Sequence, residues 1–417
     1  MSNLDAAVAI ISIAQHASPI ESGHIEELSA HRTKSSSFTI RILLWLESIL
    51  LIYGVRSILL VVLHHFYPRM SIPSHNRRNK PTESVIDYTD MRTKVKRIAV
   101  LTSGGDAPGM NACVRAVVRD GLAAGLDVYG VRRGYAGLIN NEFIEMDSRS
   151  VGGIIRQGGT ILMTARAPEF CDEAGRHKAI ENLAAWEIDG VVVIGGDGSL
   201  HGAVDLDAAG VKVIGVPASI DNDIGGTDMA IGVDTALNTI LDAMDKIKDT
   251  ATAHQRSFLI EVMGRRHGYL ALNAGVAGGA EMIILPSQPI DLSAIEKEVN
   301  AAFKRGKPHF IVVVAEGAEI DGKTATYALA DVIGKTEYGV RVTVLGHVQR
   351  GGSPSAYDRI LGTRFGAAAV EMLLDGKTGL MTAMRGGEIV GIPISEAVSQ
   401  PPRLHPDILR LAEPLSM

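Results

Sequence analysis

Gly190-Val-Val-Val-Ile-Gly-Gly-Asp-Gly-Ser199 decides the fold. Four consecutive β-branched residues without polar alternation describe a strand covered on both faces. Such a strand belongs to a parallel sheet with helices above and below it. Gly195, Gly196 and Gly198 leave room past the strand end for a phosphate chain. Asp197 stands where a carboxylate can reach Mg²⁺ directly or through water. A buried strand that runs into G-G-D-G-S seldom has a purely structural reading.

The next apolar run, Val211–Val216, leads to Pro217-Ala-Ser-Ile-Asp-Asn-Asp-Ile-Gly-Gly-Thr-Asp228. Pro217 closes the strand and Gly225-Gly226 turns the chain, so Asp221 and Asp223 face the crevice at a sheet edge. There one carboxylate can take a proton from a substrate hydroxyl while its neighbour holds a metal or orients the first. Alone, D-N-D is more often an exposed acidic turn with an Asx cap. The neighbouring motifs argue against that reading here.

Upstream, the strand Ile98–Thr102 runs into Ser103-Gly-Gly-Asp-Ala-Pro-Gly-Met-Asn111 and a helix over 112–124. Strand, Gly-rich turn and helix aim backbone N–H groups at phosphate. Neither G-x-G-x-x-G nor G-x-x-x-x-G-K-[ST] fits, and a tight structural turn explains the loop equally well. Val128–Val131 is the next strand, followed by Arg132, Arg133, Gly134 and Tyr135. Gly158-Gly-Thr-Ile-Leu-Met-Thr-Ala-Arg166 places an Arg at the end of a further strand-like run, before a helix over 178–186.

Downstream, a helix over 232–249 precedes the strand Phe258–Val262 and Met263-Gly-Arg-Arg-His-Gly-Tyr269. Glu261, Arg265, Arg266 and His267 crowd that strand's end. Alternation continues through a helix at 270–277, a strand at 282–285, a helix at 296–304 and a strand at 310–315 ending at Glu316. Val342–Leu345 then leads to Gly346-His-Val-Gln-Arg-Gly-Gly-Ser-Pro354 and a helix over 356–374. The pattern is α/β with mainly parallel sheets, in two consecutive units with the site in the cleft between them.

Composition narrows the ligands. The 417 residues allow two or three domains, and 45 glycines suit many tight strand–helix turns. A net charge of −6 recommends no nucleic-acid surface. Anionic ligands must therefore be held by local cations: Arg166, Arg256, Arg265, Arg341 and Arg350, with His347. Cys113 and Cys171 are the only cysteines. They match no zinc spacing and read as small buried or inert thiols of a reducing compartment.

Residues 1–90 differ in character. Ile42–Leu63 is apolar except for Glu47 and Arg56 and is long enough to span a bilayer. The two charges would cost roughly 5–7 kcal/mol on insertion, about what the apolar residues return. Basic residues flank both sides, and 68–90 reads as a linker. We favour a functional start at Met91, where Arg92-Thr-Lys-Val-Lys-Arg97 leads straight into the first strand, over a membrane anchor.

From Met91 onward the chain resembles the bacterial-type ATP-dependent 6-phosphofructokinases. The motifs that carry the resemblance are L-T-S-G-G-D-A-P-G-M-N (101–111), G-G-D-G-S (195–199), I-D-N-D-I (220–224), E-V-M-G-R (261–265) and L-G-H-V-Q-R-G-G-S-P (345–354). It implies two Rossmann-like three-layer α/β/α domains: 91–232 with about 354–402 for ATP, and 233–353 with the C-terminal tail for fructose 6-phosphate. The implied reaction moves a phosphoryl group from MgATP to the sugar 1-hydroxyl, in glycolysis and in the cytoplasm. Asp221 would be the base, with Ser219, Asp223 and Arg265 completing the catalytic set, and Asp197 would serve Mg²⁺. Gly105, Tyr135, Arg166, Gly198 and Ser199 would contact ATP. Ser219, Met263, Gly264, Arg265, Glu316, His347 and Arg350 would hold the sugar phosphate. Arg256 and Arg341 would reach it from a neighbouring subunit of a homotetramer. ADP or phosphoenolpyruvate would act as effector at Arg115, Arg119, Lys248, Glu281, Arg305, Lys307 and His309.

Pyrophosphate-using members usually carry Asp and Lys where this chain has Gly198 and Ala218, so ATP is the expected donor. Several positions depart from the family. Ser219 replaces Thr, Lys248 replaces Arg, Cys171 stands where a basic residue is common, and Ser148 occupies another Arg position. The competing readings are an NAD-kinase-like enzyme, which leaves 261–265 and 345–354 unused, and a silent nucleotide sensor, which would not need both Asp221 and Asp197.

Overall fold

In the computed structural model, which describes residues 95–286, 288–399 and 404–415, two mainly parallel sheets carry the chain. The larger has seven strands: β1 (Arg97–Ser103), β2 (Asp127–Val131), β3 (Phe143–Glu145), β4 (Gly190–Gly195), β5 (Val213–Pro217), β12 (Leu380–Arg385) and β13 (Glu388–Pro393). Their order is β13-β12-β5-β4-β1-β2-β3, with only the outermost pairs, β12–β13 and β2–β3, antiparallel. The smaller is parallel throughout in the order β11-β6-β8-β7, built from β6 (Ser257–Val262), β7 (Met282–Ile284), β8 (Phe310–Ala315) and β11 (Val340–Val344). A short ribbon, β9 (Glu319–Ile320) with β10 (Lys323–Thr324), stands apart.

The helices are α1 (Met110–Ala123), α2 (Gly134–Ile139), α3 (Glu173–Ala185), α4 (Asp197–Ala208), α5 (Val233–His254), α6 (Tyr269–Ala277), α7 (Leu292–Lys304), α8 (Ala325–Ile333), α9 (Ala356–Leu374), α10 (Ile394–Ser399) and α11 (Pro406–Leu415). The apolar runs are buried as their composition requires: every residue of β4 and β8 is buried. Along β8, Ile311, Val313 and Ala315 join the core that continues under the large sheet, while Phe310, Val312 and Val314 face a second cluster with Leu329 and Ile333. That period of two is the strand pleat.

Two expectations need correction. The run 158–166 is irregular coil, not strand. Its backbone is held by side chains instead of a ladder: Asn111 Oδ1 accepts from the Ile161 N–H at 2.8 Å, and Thr102 Oγ1 donates to the Met163 carbonyl at 3.0 Å. The β12–β13 hairpin and α8 were not anticipated, because 317–341 and 375–393 carry no motif. Four predicted helix starts, those of α1, α3, α6 and α7, were late, most of all for α3, which begins five residues earlier at Glu173. The apolar segment 42–63 lies outside the described residues, and no described helix is long and apolar enough to cross a membrane.

α9 lies along α1 at backbone-to-backbone range, because its facing positions are glycines. A Cβ at Gly362 would fall 2.7 Å from the Gly109 carbonyl, and one at Gly366 2.7 Å from the Cys113 carbonyl. We expect Gly366→Val to cost about 1–3 kcal/mol by overpacking, read as a lower urea midpoint at constant m-value. An unchanged midpoint would contradict so close an approach.

Candidate active site

The loop after β5 is closed by its own asparagine. Asn222 sits in the left-handed region (φ 49°), its Oδ1 accepting from the Ala230 N–H at 2.9 Å and its Nδ2 donating to the Asp228 carbonyl at 3.2 Å. With the middle side chain folded into the loop, the flanking carboxylates share one guanidinium. Arg265 Nε lies 3.2 Å from Asp221 Oδ2, and Nη1 lies 3.5 Å from Asp223 Oδ2. The β12–β13 hairpin holds the loop from behind. The Gly386 N–H donates to Asp228 Oδ2 at 2.8 Å and Arg385 Nε to the Gly226 carbonyl at 2.9 Å. Gly226 has φ 77°, and a Cβ there would strike Ile392.

Asp221 is buried, and its Oδ1 has no hydrogen-bond partner. Burial, reinforced by the charge of Asp223, pushes its pKa up to about 6, against the opposing pull of Arg265 and Arg350. Ser219 ties the pair together: its Oγ accepts from the Asp221 N–H at 3.2 Å and donates to Asp223 Oδ1 at 3.0 Å.

Arg265 is aimed by a tight turn. Gly264 (φ 128°) and Arg265 itself (φ 46°) leave extended geometry, and the Arg265 N–H donates to Glu316 Oε1 at 2.9 Å. Met263 is buried, and its N–H donates to Gln349 Oε1 at 3.2 Å. Buried Gln349 belongs to the 3-10 turn Gly346–Arg350, so the end of β6 and the loop carrying His347 and Arg350 are one assembly. Gln349 was not anticipated; only its place between His347 and Arg350 hinted at it. The Arg350 guanidinium lies against Gly105, where a Cβ would fall 2.7 Å from Nη1, and its buried Nε has no partner. Arg350 therefore links the 103–109 loop to the Asp221 side of the crevice.

Across that crevice, α4 opens at Asp197 with Gly196 as its N-cap and no side-chain cap; the Ser199 N–H donates to the Gly196 carbonyl at 3.0 Å, and the Asp197 and Gly198 N–H groups before it face a ligand. Space in front of Gly198 is open for at least 4 Å. Tyr135 lies at the base of this turn. Its ring is buried against Phe170 and its hydroxyl donates to the Ser199 carbonyl at 2.6 Å, so it supports the glycine turn from beneath. Arg166 is exposed on its coil segment.

Asp197 is partly exposed, with His201 Nδ1 3.5 Å from its Oδ2. Among the described residues no group of three or more His, Cys, Asp or Glu side chains could hold a metal. A single carboxylate beside a phosphate cradle is nonetheless the donor set that fits Mg²⁺, which keeps waters and takes phosphate oxygens.

Other expected residues lie elsewhere. Arg256 immediately precedes β6 and Arg341 pairs in register with Phe258, so both sit at the far end of a strand about 20 Å long from Arg265. Glu281 receives the Ile311 N–H at 2.7 Å and lies 3.8 Å from Lys307 and 3.9 Å from His309. His309 Nδ1 is 2.9 Å from Thr252 Oγ1, Lys248 bonds the Gly278 and Gly279 carbonyls, and Arg305 pairs with Glu298 at 2.8 Å. Arg115 is on α1, as is Arg119, in the other sheet's layer. Cys113 is buried with its thiol pushed up by burial, and Cys171 is exposed.

A carboxylate with one free, dry oxygen can accept a proton from a hydroxyl placed against it. Because its folded-state pKa is raised, the stability Asp221 contributes is present below the ordinary carboxylate range and is lost as pH rises through about 6. We expect its carboxylate band, identified by infrared difference against Asp221→Asn, to titrate near 6 in the free protein. Titration in the ordinary carboxylate range would contradict the burial argument.

A phosphofructokinase family model matches residues 97–373. The ATP-dependent 6-phosphofructokinase of Listeria monocytogenes serotype 4b is 52% identical over 323 residues, 78% of this chain and 100% of its own. ATP-dependent 6-phosphofructokinase 1 of Thermus thermophilus is 52% identical over 324 residues, again 78% of this chain and 100% of its own. Among solved structures, the phosphofructokinase of Saccharomyces cerevisiae superposes with a TM-score of 0.68 at 39% identity, covering 73% of this chain and 45% of the yeast chain. This chain belongs to the phosphofructokinase family.

Proposed function

We propose that the chain is an ATP-dependent 6-phosphofructokinase, transferring the terminal phosphoryl group of ATP to the 1-hydroxyl of fructose 6-phosphate. The activity named for its full-length relatives supports this, and the observation that carries it in this chain is the buried, unpartnered Oδ1 of Asp221. It is the atom that would take the hydroxyl proton. Ser219 and Asp223 orient that carboxylate, while Arg265 neutralises charge spreading over the transferred group. Gly105, Gly198 and Ser199 line the cradle for the nucleotide phosphates. Asp197 would hold Mg²⁺, which when bound offsets phosphate charge and polarises the terminal group. Met263, Gly264, Glu316, His347 and Arg350 grip the sugar phosphate.

The same reading divides the chain into a nucleotide domain on the large sheet, 91–232 with about 354–402, and a sugar domain of 233–353 with the C-terminal tail. The distance of Arg256 and Arg341 from Arg265 supports a homotetramer in which they serve a neighbour's sugar site. The Lys248, Glu281, Arg305, Lys307 and His309 group supports an effector site for ADP or phosphoenolpyruvate, completed by Arg115 and Arg119 of another copy. A cytoplasmic setting follows from the glycolytic role.

Purified protein should phosphorylate fructose 6-phosphate with ATP in the presence of Mg²⁺, and Asp221→Ala should cut kcat roughly 10²–10⁴-fold with little change in sugar KM. Near-normal turnover in that variant would remove Asp221 as the base. Pyrophosphate is the disfavoured donor because nothing fills the space before Gly198. Gly198→Asp would fold unhindered and put a charge where the nucleotide α-phosphate lies, lowering ATP kcat/KM roughly tenfold or more. An unaffected ATP preference would show that this position does not choose the donor.

A further inference from the structure

α5 and α9 cap each other. α5 follows the Asp221 loop directly, and its N-cap, Gly232 (φ 105°), has no side chain to satisfy the helix's first N–H groups. α9 follows the loop of His347 and Arg350, and Ser355-Ala-Tyr-Asp358 has the S-x-x-D form of a capping box. Half of that box is ordinary: Ser355 Oγ accepts from the Asp358 N–H at 3.2 Å. The other half is exchanged between helices. Instead of returning to Ser355, the Asp358 carboxylate accepts from the Gly232 N–H at 2.9 Å, the Thr235 N–H at 2.8 Å and Thr235 Oγ1 at 2.5 Å. The Ser355 N–H that Asp358 has released donates to Thr235 Oγ1 at 2.9 Å, and Ser355 Oγ also donates to Asp234 Oδ2 at 2.6 Å.

Asp358 is fully buried and Thr235 nearly so. A carboxylate enclosed to that degree is held in one geometry by its donors. Asp358 also touches the 103–109 loop, since a Cβ at Gly109 would fall 3.0 Å from the Asp358 carbonyl. Three loops thus converge on one residue: the first glycine-rich loop, the Asp221 loop and the sugar-side loop of Arg350.

We propose that Asp358 and Thr235 are positioning residues for phosphoryl transfer: their reciprocal cap sets the loop of His347 and Arg350 against the Asp221 carboxylate. Neither touches a substrate. A shift of the two helix starts relative to one another would displace Arg350 from Asp221 while leaving the α4 glycine turn, attached to β4, where it is. Asp358 meets the 103–109 loop through its carbonyl and Cβ and not through its carboxylate, so loss of the cap's hydrogen bonds acts on sugar binding and turnover more than on nucleotide binding.

The test is the split between two KM values, with Thr235→Val removing the hydroxyl from both bonds, Thr235→Ser retaining it, and Asp358→Asn removing the carboxylate charge. Measured well below the melting temperature, Thr235→Val should raise the fructose 6-phosphate KM about tenfold and lower kcat, as expected for loss of a charged hydrogen bond. Its ATP KM should stay within a factor of about two, and Thr235→Ser should restore the parent ratio. A purely structural role would instead lower the melting temperature and leave the ratio of the two KM values alone, and that result overturns the proposal. Should Asp358→Asn fail to fold, the threonine pair decides. The inference rests on the phosphofructokinase reading, yet the two fail separately. A parent chain inert toward fructose 6-phosphate sinks the reading, whereas an active parent whose variants keep its KM ratio sinks only the positioning role.

Discussion

Everything in the crevice is arranged about a carboxylate that is buried but incompletely satisfied. Asp221 gives one oxygen to Arg265 and keeps the other dry and without a partner. Leaving a buried polar atom unpaired costs on the order of 1–3 kcal/mol, so the surrounding structure has to hold it there. Desolvation and Asp223 favour the protonated form; Arg265 and Arg350 favour the ionised form. The result is a group near the middle of the range useful to a base, obtained from opposing terms and not from one strong partner.

Holding such a group falls to backbone that cannot relax. The Asn222 turn fixes which way the two aspartates face, and the β12–β13 hairpin blocks the loop from sliding backward onto Ile392. Residues distant in sequence supply these restraints: 380–393 stands behind 221–228, and 355–358 caps 232–235. The strand ends provide the chemical groups. The return of the chain after 354 provides much of their rigidity, because α9 and the hairpin both belong to the large-sheet layer and both grip the loop that leaves it.

Much of this was legible beforehand, for identifiable reasons. β4 and β8 were readable because an unbroken β-branched run has few other uses, and the phosphate-facing glycines because Gly195, Gly196 and Gly198 follow such a run at once. What escaped had no local signature. The support that Tyr135 gives the glycine turn shows only once Gly202 and Phe170 are seen to enclose its ring. The 158–166 run has strand composition, but it joins no ladder, and Asn111 and Thr102 take up its polar groups instead. The exchanged cap was invisible because S-x-x-D predicts a bond within its own helix, whereas the uncapped Gly232 offers the carboxylate better donors. Local rules gave the elements; competition among distant partners decided their connections.

Under the phosphofructokinase reading, the position of Arg265 has a mechanistic consequence. Its guanidinium is more than half exposed while contacting two aspartates, so its outer N–H groups are open to an arriving phosphoryl group. Attraction to that group competes with attraction to the buried Asp221 carboxylate. Whatever part of the arginine the phosphoryl group takes is withdrawn from the carboxylate. Asp221 then loses a partner that was lowering its pKa and becomes the stronger base as the acceptor hydroxyl must lose its proton. The same exchange puts positive charge on the transferred group as its negative charge spreads. One side chain can thereby couple proton removal to phosphoryl movement with no displacement larger than a rotation of its own plane.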